Sequence, residues 1–267
     1  MTLRETAFAK INLALHVRRR RGDGYHELET LFAFVDTGDE LVARFAPRDS
    51  LRVTGEFGGA LDDPFGNVVA KALNALPHGA GWDLTLEKNL PVAAGLGGGS
   101  ADAGAVFRMV RHAHGLPDDW QSRAAKLGAD VPACVESVAC IGRGTGTELE
   151  PIANDLAGLP VLLVNPRIPL ATGPVFKAWD SVDRGPLEGN DLRTMALNGR
   201  NDLEGPALSL VPEIRDVLQV LQQTGAWLTR MSGSGATCFA LYDTTQVRDA
   251  ARTAMPPAWW TLAGKLR

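Results

Sequence analysis

Three cysteines, Cys134, Cys140 and Cys238, are all that 267 residues contain. Their number is odd and their spacing fits no metal-ligand pattern, which argues against a disulfide framework and for a reducing compartment. Positive charge is also short. With 27 Lys and Arg against 31 Asp and Glu the net charge is −4, so no global field draws the chain to nucleic acid or to an anionic membrane. Long apolar runs are missing too: Leu159 to Val164 and Thr237 to Leu241 fall far below the ~18 residues of a bilayer span and read as core strands. The amino terminus lacks the basic-then-apolar layout of a signal peptide, and there is no internal repeat or low-complexity tract, so the expected location is cytoplasmic. What remains is an ordinary globular composition, 45% hydrophobic and 22% charged. A chain of this length buries roughly three quarters of its unfolded surface and needs no staple.

Ala7, Ala9, Ile11, Leu13, Leu15 and Val17 alternate with Lys10, Asn12 and His16, which predicts a strand carrying Lys10 and Asn12 on one face. Four arginines and the Gly22-Asp23-Gly24 turn interrupt the pattern before a second strand at 28–35. Further strands are expected near 40–45, 51–54 and 84–86. From Ser100 the apolar residues fall at Ala103, Val106, Phe107 and Val110, a helical stripe that stops at Gly115 and Pro117. A second helix is expected over 118–127, ended by Gly128. The change of texture near 155 suggests two segments, 1–155 and 156–267. In the latter, Ile214, Val217, Leu218 and Leu221 mark a helix at 212–223, two strands at 226–231 and 237–242 flank Ser232-Gly233-Ser234-Gly235, and a helix starts at Thr245.

The run from Pro91 through Gly95-Leu96-Gly97-Gly98-Gly99-Ser100 opens directly on the first helix. Backbone amides approach a phosphate closely only where side chains are missing, and a helix start adds the positive end of its dipole, so the run reads as an anion cradle. A flexible surface loop is the competing reading. Walker A is excluded because no lysine follows the glycines, and the spacing fails G-x-G-x-x-G. Ser100 reads both as a helix cap and as a contact for phosphate or Mg²⁺. Lys10 and Asp130 have plain explanations singly, a snorkelling lysine and a cap before Pro132. With a phosphate loop they supply what phosphoryl transfer to an alcohol requires, a carboxylate to accept the hydroxyl proton and a cation to stabilise developing negative charge. A serine-hydrolase reading fails, since neither Ser100 nor Ser234 lies in G-x-S-x-G.

Three ordered blocks, Ala7-Phe8-Ala9-Lys10-Ile11-Asn12-Leu13, Pro91 through Ala101, and Met231-Ser232-Gly233-Ser234-Gly235-Ala236, resemble the GHMP kinases across the whole chain. The resemblance implies an α+β fold of two domains, an N-terminal nucleotide-loop domain and a C-terminal ferredoxin-like α/β sandwich, with the active site in the cleft between them. It implies ATP, with its phosphates on the loop that Pro91 enters and that Gly95, Leu96, Gly97, Gly98, Gly99 and Ser100 form. Mg²⁺ is expected on the triphosphate, because the sequence offers no carboxylate cluster for a dedicated metal site. Lys10 and Asp130 match the catalytic pair of the family, and Asn12 would orient the acceptor.

Asp23-Gly24-Tyr25-His26-Glu27-Leu28, Gly128-Ala129-Asp130-Val131-Pro132 and Asn201-Asp202-Leu203-Glu204 narrow the resemblance further. They imply a small-molecule substrate, the 2-hydroxyl of 4-(cytidine 5′-diphospho)-2-C-methyl-D-erythritol, and a step of the non-mevalonate isoprenoid route. Tyr25 and Phe176 would then stack on the cytosine and His26 bond its edge, while Gly233, Ser234 and Gly235 line the site beside the phosphates. Phe176 keeps a second reading as a helix-core residue. The alternatives are another kinase of the family, acting on a mevalonate-pathway acid, homoserine or a sugar, and a non-catalytic nucleotide-binding regulator. Tyr25 and His26 weigh against a substrate without a base.

Overall fold

The computed structural model describes residues 2–60 and 67–267. Two long strands begin it, β1 (Thr2–Arg20) and β2 (His26–Ala46), which pair with each other. The alternation in β1 is real, with Ala7, Ala9, Ile11, Leu13 and Val17 fully buried, but its polar face is covered as well: Lys10, Asn12 and His16 are also buried. A strand covered on both faces must find partners for every polar side chain it carries.

The chain forms two compact units interleaved along the sequence, residues 1–10, 37–92 and 97–137 in the first, and 11–36, 93–96 and 138–267 in the second. In the first, β3 (Ser50–Thr54) runs parallel to β4 (Gly81–Glu87), and β4 pairs antiparallel with the later half of β2, setting Leu41 opposite Leu86 and Ala43 opposite Leu84. Its described residues also form the α-helices α1 (Val68–Asn74), α2 (Gly98–His114), α3 (Trp120–Leu127) and α4 (Val131–Glu136). The expected stripe of α2, Ala103, Val106, Phe107 and Val110, is its buried face, and Gly115 ends the helix as predicted. A Cβ on Gly104 would lie 2.4 Å from the carbonyl oxygen of Cys134, so α2 and α4 meet at backbone distance. Arg108 fastens this packing by donating to the carbonyls of Cys134 (2.7 Å) and Thr6 (2.6 Å) while paired with Glu5 at 2.9 Å.

In the second unit the early half of β2 pairs with β5 (Cys140–Gly144), and β5 with β6 (Glu148–Pro151). There follow β7 (Pro160–Asn165), the short helices α5 (Thr172–Lys177), α6 (Leu192–Asn198) and α7 (Glu204–Leu210), then α8 (Ile214–Gln222), β8 (Leu228–Met231), β9 (Cys238–Leu241), α9 (Thr245–Thr253) and β10 (Trp260–Lys265). The order β10-β7-β9-β8, antiparallel throughout, is that of a ferredoxin-like β-α-β-β-α-β unit. Ile214, Val217, Leu218 and Leu221 of α8 join Val164, Met231, Cys238 and Tyr242 in its core. Thr244 caps α9 by accepting from the Val247 amide at 3.3 Å. The fold is α+β, as expected. No described helix is long and apolar enough to cross a membrane.

Candidate active site

Lys10 leaves β1 opposite the apolar row and is 4% exposed. Its Nζ lies 3.0 Å from Asp130 Oδ2. An ammonium this deeply buried without a counter-charge costs several kcal/mol, and Asp130 supplies that charge. Asp130 occupies the N-cap position of α4 but makes no side-chain cap bond, so its carboxylate serves Lys10 and not the helix. With 32% of its side chain exposed, the carboxylate stays accessible to a reactant.

Gly97 is the N-cap of α2 and sits at φ +61°, in the left-handed region. A Cβ there would come within 2.9 Å of Lys10 Cε, so the loop lies directly on the lysine stem. Ser100 is therefore the third helical residue, and its reading as the cap is corrected: the left-handed glycine turns the chain, and no side chain caps the helix. Ser100 Oγ is 3.7 Å from the Cβ position of Gly128, two residues before Asp130. The first α-helical bond runs from Ala101 N–H to Gly97 O at 2.7 Å, which leaves the amides of Gly98, Gly99 and Ser100 without intrahelical acceptors. Uncapped amides at the head of a 17-residue helix suit an anion of phosphate size. Among the described residues no group of three or more His, Cys, Asp or Glu side chains is placed to hold a metal ion.

A buried ion triad lies behind the loop. Lys88 Nζ donates to Asp39 Oδ2 and, at 2.8 Å, to Asp102 Oδ2, while Asp39 Oδ1 accepts from the amides of Asn89 (2.6 Å) and Leu90 (2.8 Å). Burial pushes the Asp102 carboxyl up to about 7 against the opposing pull of Lys88. For Lys88 burial works downward, but the carboxylates of Asp102 and Asp39 outweigh it and raise its proton affinity. A Cβ on Gly98 would be 3.4 Å from Lys88 Nζ. Sequence reasoning missed this triad, whose one signal was an aspartate on the buried stripe of α2.

In the second unit the amide of Asn12 donates through Nδ2 to Thr30 Oγ1 at 2.7 Å, and Thr30 donates to Ala14 O at 2.8 Å. Ser232 Oγ accepts from Asn12 N–H at 3.2 Å and donates to Gly95 O at 2.8 Å. Gly95 has φ +76°, and a Cβ on it would meet Ser232 O at 2.2 Å, so only glycine fits between loop and turn. Gly233 faces Asn12, its Cβ position 3.1 Å from Oδ1, and Ser234 Oγ lies 3.0 Å from Thr172 Oγ1. His26 is buried between Phe176, ring centroids 5.0 Å apart, and Trp179, edge-on at 5.7 Å. Burial, then the nearby Arg20 guanidinium, lowers the proton affinity of His26. Tyr25 projects into solvent at 63% exposure.

Residues 67–138 match the GHMP kinases N terminal domain and residues 190–261 the GHMP kinases C terminal. A 4-diphosphocytidyl-2-C-methyl-D-erythritol kinase of Novosphingobium aromaticivorans is 81% identical over 267 residues, covering 100% of this chain and 94% of that protein. The chain belongs to the GHMP kinases. An Erythrobacter litoralis protein of the same name is 61% identical, with 98% of this chain and 99% of that one covered. The crystal structure of a 4-(cytidine 5′-diphospho)-2C-methyl-D-erythritol kinase superposes with a TM-score of 0.81 at 33% identity over 99% of each chain. A homoserine kinase from Cytophaga hutchinsonii, at 18% identity and a TM-score of 0.71 over 99% of this chain and 95% of that one, shares the fold.

In this GHMP kinase the first unit brings Lys10, Asp130 and Gly97 together with the start of α2, and the second brings Asn12 to Gly95 and Gly233, and His26 to Phe176. Phe176, half-buried in α5, meets the ring of His26 and packs on the core of its unit, in keeping with its helix-core reading. Ser232 and Trp179 were not singled out as site residues in the sequence. Ser232 is a buried hydroxyl inside the third motif, and Trp179 lies three residues beyond Phe176, about one helical turn.

Proposed function

We propose that this chain transfers the γ-phosphoryl group of ATP to the tertiary 2-hydroxyl of 4-(cytidine 5′-diphospho)-2-C-methyl-D-erythritol. The carrying observation is the Lys10–Asp130 pair, 3.0 Å apart and overlain by Gly97 at the head of α2. Asp130 accepts the hydroxyl proton as the alcohol oxygen bonds to the γ-phosphorus and the bond to the leaving ADP oxygen breaks. Lys10, 3.0 Å from that carboxylate, steadies the alcohol oxygen as it gains charge. The amides of Gly98, Gly99 and Ser100 hold phosphate oxygens, and the chain from Pro91 through Gly95 and Leu96 delivers them. No cluster of carboxylates among the described residues is placed to hold Mg²⁺, so the triphosphate itself would bring it, and when bound it would supply neutralisation of phosphate charge.

For the acceptor, Asn12, Gly233, Ser234 and Gly235 are assigned to orientation. Tyr25 and Phe176 supply faces for the cytosine, and the exposed ring of Tyr25 is a surface that a base would cover. His26, its proton affinity lowered by burial, accepts at Nε2 from Arg20 Nε at 3.5 Å, and its other ring nitrogen is assigned to the base edge. The relatives named for this substrate support the choice of alcohol, and a cytoplasmic setting agrees with the cysteine usage.

A coupled ADP-release assay offering the cytidylyl alcohol, mevalonate, homoserine and galactose in turn tests the reading. Turnover confined to the first supports it. Turnover of another alcohol with none of the first overturns the substrate, and nucleotide binding without ADP release from any of them overturns the kinase assignment.

A further inference from the structure

Asn201-Asp202-Leu203-Glu204 has no part in the chemistry assigned above, yet the side chains of Asn201 and Asp202 each make several hydrogen bonds. Asn201, 8% exposed, donates from Nδ2 to the carbonyls of Met231 and Gly233, both at 2.8 Å, and accepts from the Leu203 amide at 2.9 Å. Asp202 accepts from the Val17 amide at 2.8 Å and from Arg200 Nε at 2.7 Å. The backbone repeats the attachment, with Asp202 N–H to Leu15 O at 2.9 Å and Leu15 N–H to Arg200 O at 2.8 Å. One short stretch thus grips β1 and the 231–235 turn at once. Two carbonyls in need of donors and one amide in need of an acceptor call for a carboxamide, which offers both at this reach.

Inside the gripped turn, Ser232 is fully buried and links two further backbone groups, the Asn12 amide and the Gly95 carbonyl. The bonds run in series: Asn201 to the carbonyls on either side of Ser232, then Ser232 to the acceptor strand and to the first glycine of the phosphate loop. We propose that Asn201 is a positioning residue for phosphoryl transfer, setting the 231–235 turn and, through Ser232, the spacing of Asn12 from Gly95. The proposal rests on the kinase reading. Asn201 touches no reacting group, and its effect on rate is geometric.

Asn201→Asp in the full chain is nearly isosteric: it keeps the acceptor for Leu203 and sets a carboxylate oxygen against two carbonyls. The readouts are kcat, KM for ATP and for the cytidylyl alcohol, melting temperature, and amide exchange over residues 231–237. The expected result is a loss of kcat on the order of 10- to 100-fold, as for an ångström-scale misplacement, larger than the change in either KM, with faster exchange at 231–237 in a cooperatively melting protein. Ser232→Ala should lower kcat in the same way, and Ser232→Thr, which keeps the hydroxyl, should recover most of it. The double variant Asn201→Asp, Ser232→Ala should lose no more than the worse single one, because the two act in series. Near-normal kcat in folded Asn201→Asp, a loss matched by the folded fraction alone, or multiplicative losses in the double variant would overturn the proposal. If Asn201→Asp does not fold, equal kcat in the Ala and Thr variants at 232 overturns it. If the wild-type chain turns over no alcohol, the kinase reading fails by itself, and unchanged exchange at 231–237 still rejects the anchor.

Discussion

Gly97 and Lys10 restrict each other: a Cβ on residue 97 would approach Lys10 Cε to 2.9 Å, and the glycine's φ of +61° is one that a side chain rarely adopts. Gly97→Ala therefore meets backbone strain of about 1 kcal/mol and a lysine stem that must move. The melting temperature should fall modestly and kcat steeply, because the displaced atom carries the ammonium. A steady-state assay beside a thermal melt separates the two, and a kcat loss no larger than the loss of folded protein would contradict this view of the contact.

Lys10→Met removes the charge and keeps much of the stem. The rate should drop by about 10²- to 10³-fold, the usual cost of one donor aimed at developing charge. ATP binding measured by calorimetry should change little by comparison. Asp130→Asn should also abolish most turnover, through loss of the proton acceptor, with ATP binding again little changed.

Asp102 gives stability a pH dependence of definite sign. Its folded-state value, raised by burial to about 7, exceeds the unfolded value near 3.8, so the native state binds the extra proton between those limits. Stability therefore falls as pH rises from about 4 to about 7 as far as this group is concerned, and the penalty is fully present above that window. Melting temperatures across the window should slope downward, and the slope should flatten in Asp102→Asn. An unchanged slope in that variant would assign it to another group.

Phe176→Ala and Tyr25→Ala should raise KM for the cytidylyl alcohol by about 5- to 150-fold each, given 1–3 kcal/mol per stacked base, with KM for ATP nearly constant. The two differ in stability: Tyr25 is exposed, so its loss should leave the melting temperature unchanged, whereas Phe176 packs on His26 and on the core of its unit, and its loss should lower it. Equal melting temperatures would mean that Phe176 contributes no packing.

The sequence was most legible where one periodicity ruled. The stripe of α2 and the amphipathic face of α8 lie where their spacing places them, because burial of one face decides a helix of that length. The strand at 28–35 and that at 40–45 are one element, β2, since residues 36–39 carry Asp36, Gly38 and Asp39, which read as a break but are extended in the fold. Asp39 is tolerated there because Lys88 and two backbone amides satisfy it, and long-range partners leave no local mark. The short helices α5, α6 and α7 are seven residues or fewer, too short for a periodic signal. Within the site, the glycine loop and the Lys10–Asp130 pair could be read from residue type and resemblance. The Lys88 triad and the Asn201 anchor are made by tertiary pairing and were visible only as unusual polar residues in apolar or motif-like surroundings.

The bare backbone at Gly104 has one more consequence. With nothing but hydrogen between α2 and the Cys134 carbonyl, the helix whose head carries the uncapped amides and the helix whose head carries Asp130 cannot slide without collision. Any side chain at 104 would have to part the two helices, shifting the amides at one head against the carboxylate at the other from a position remote from both.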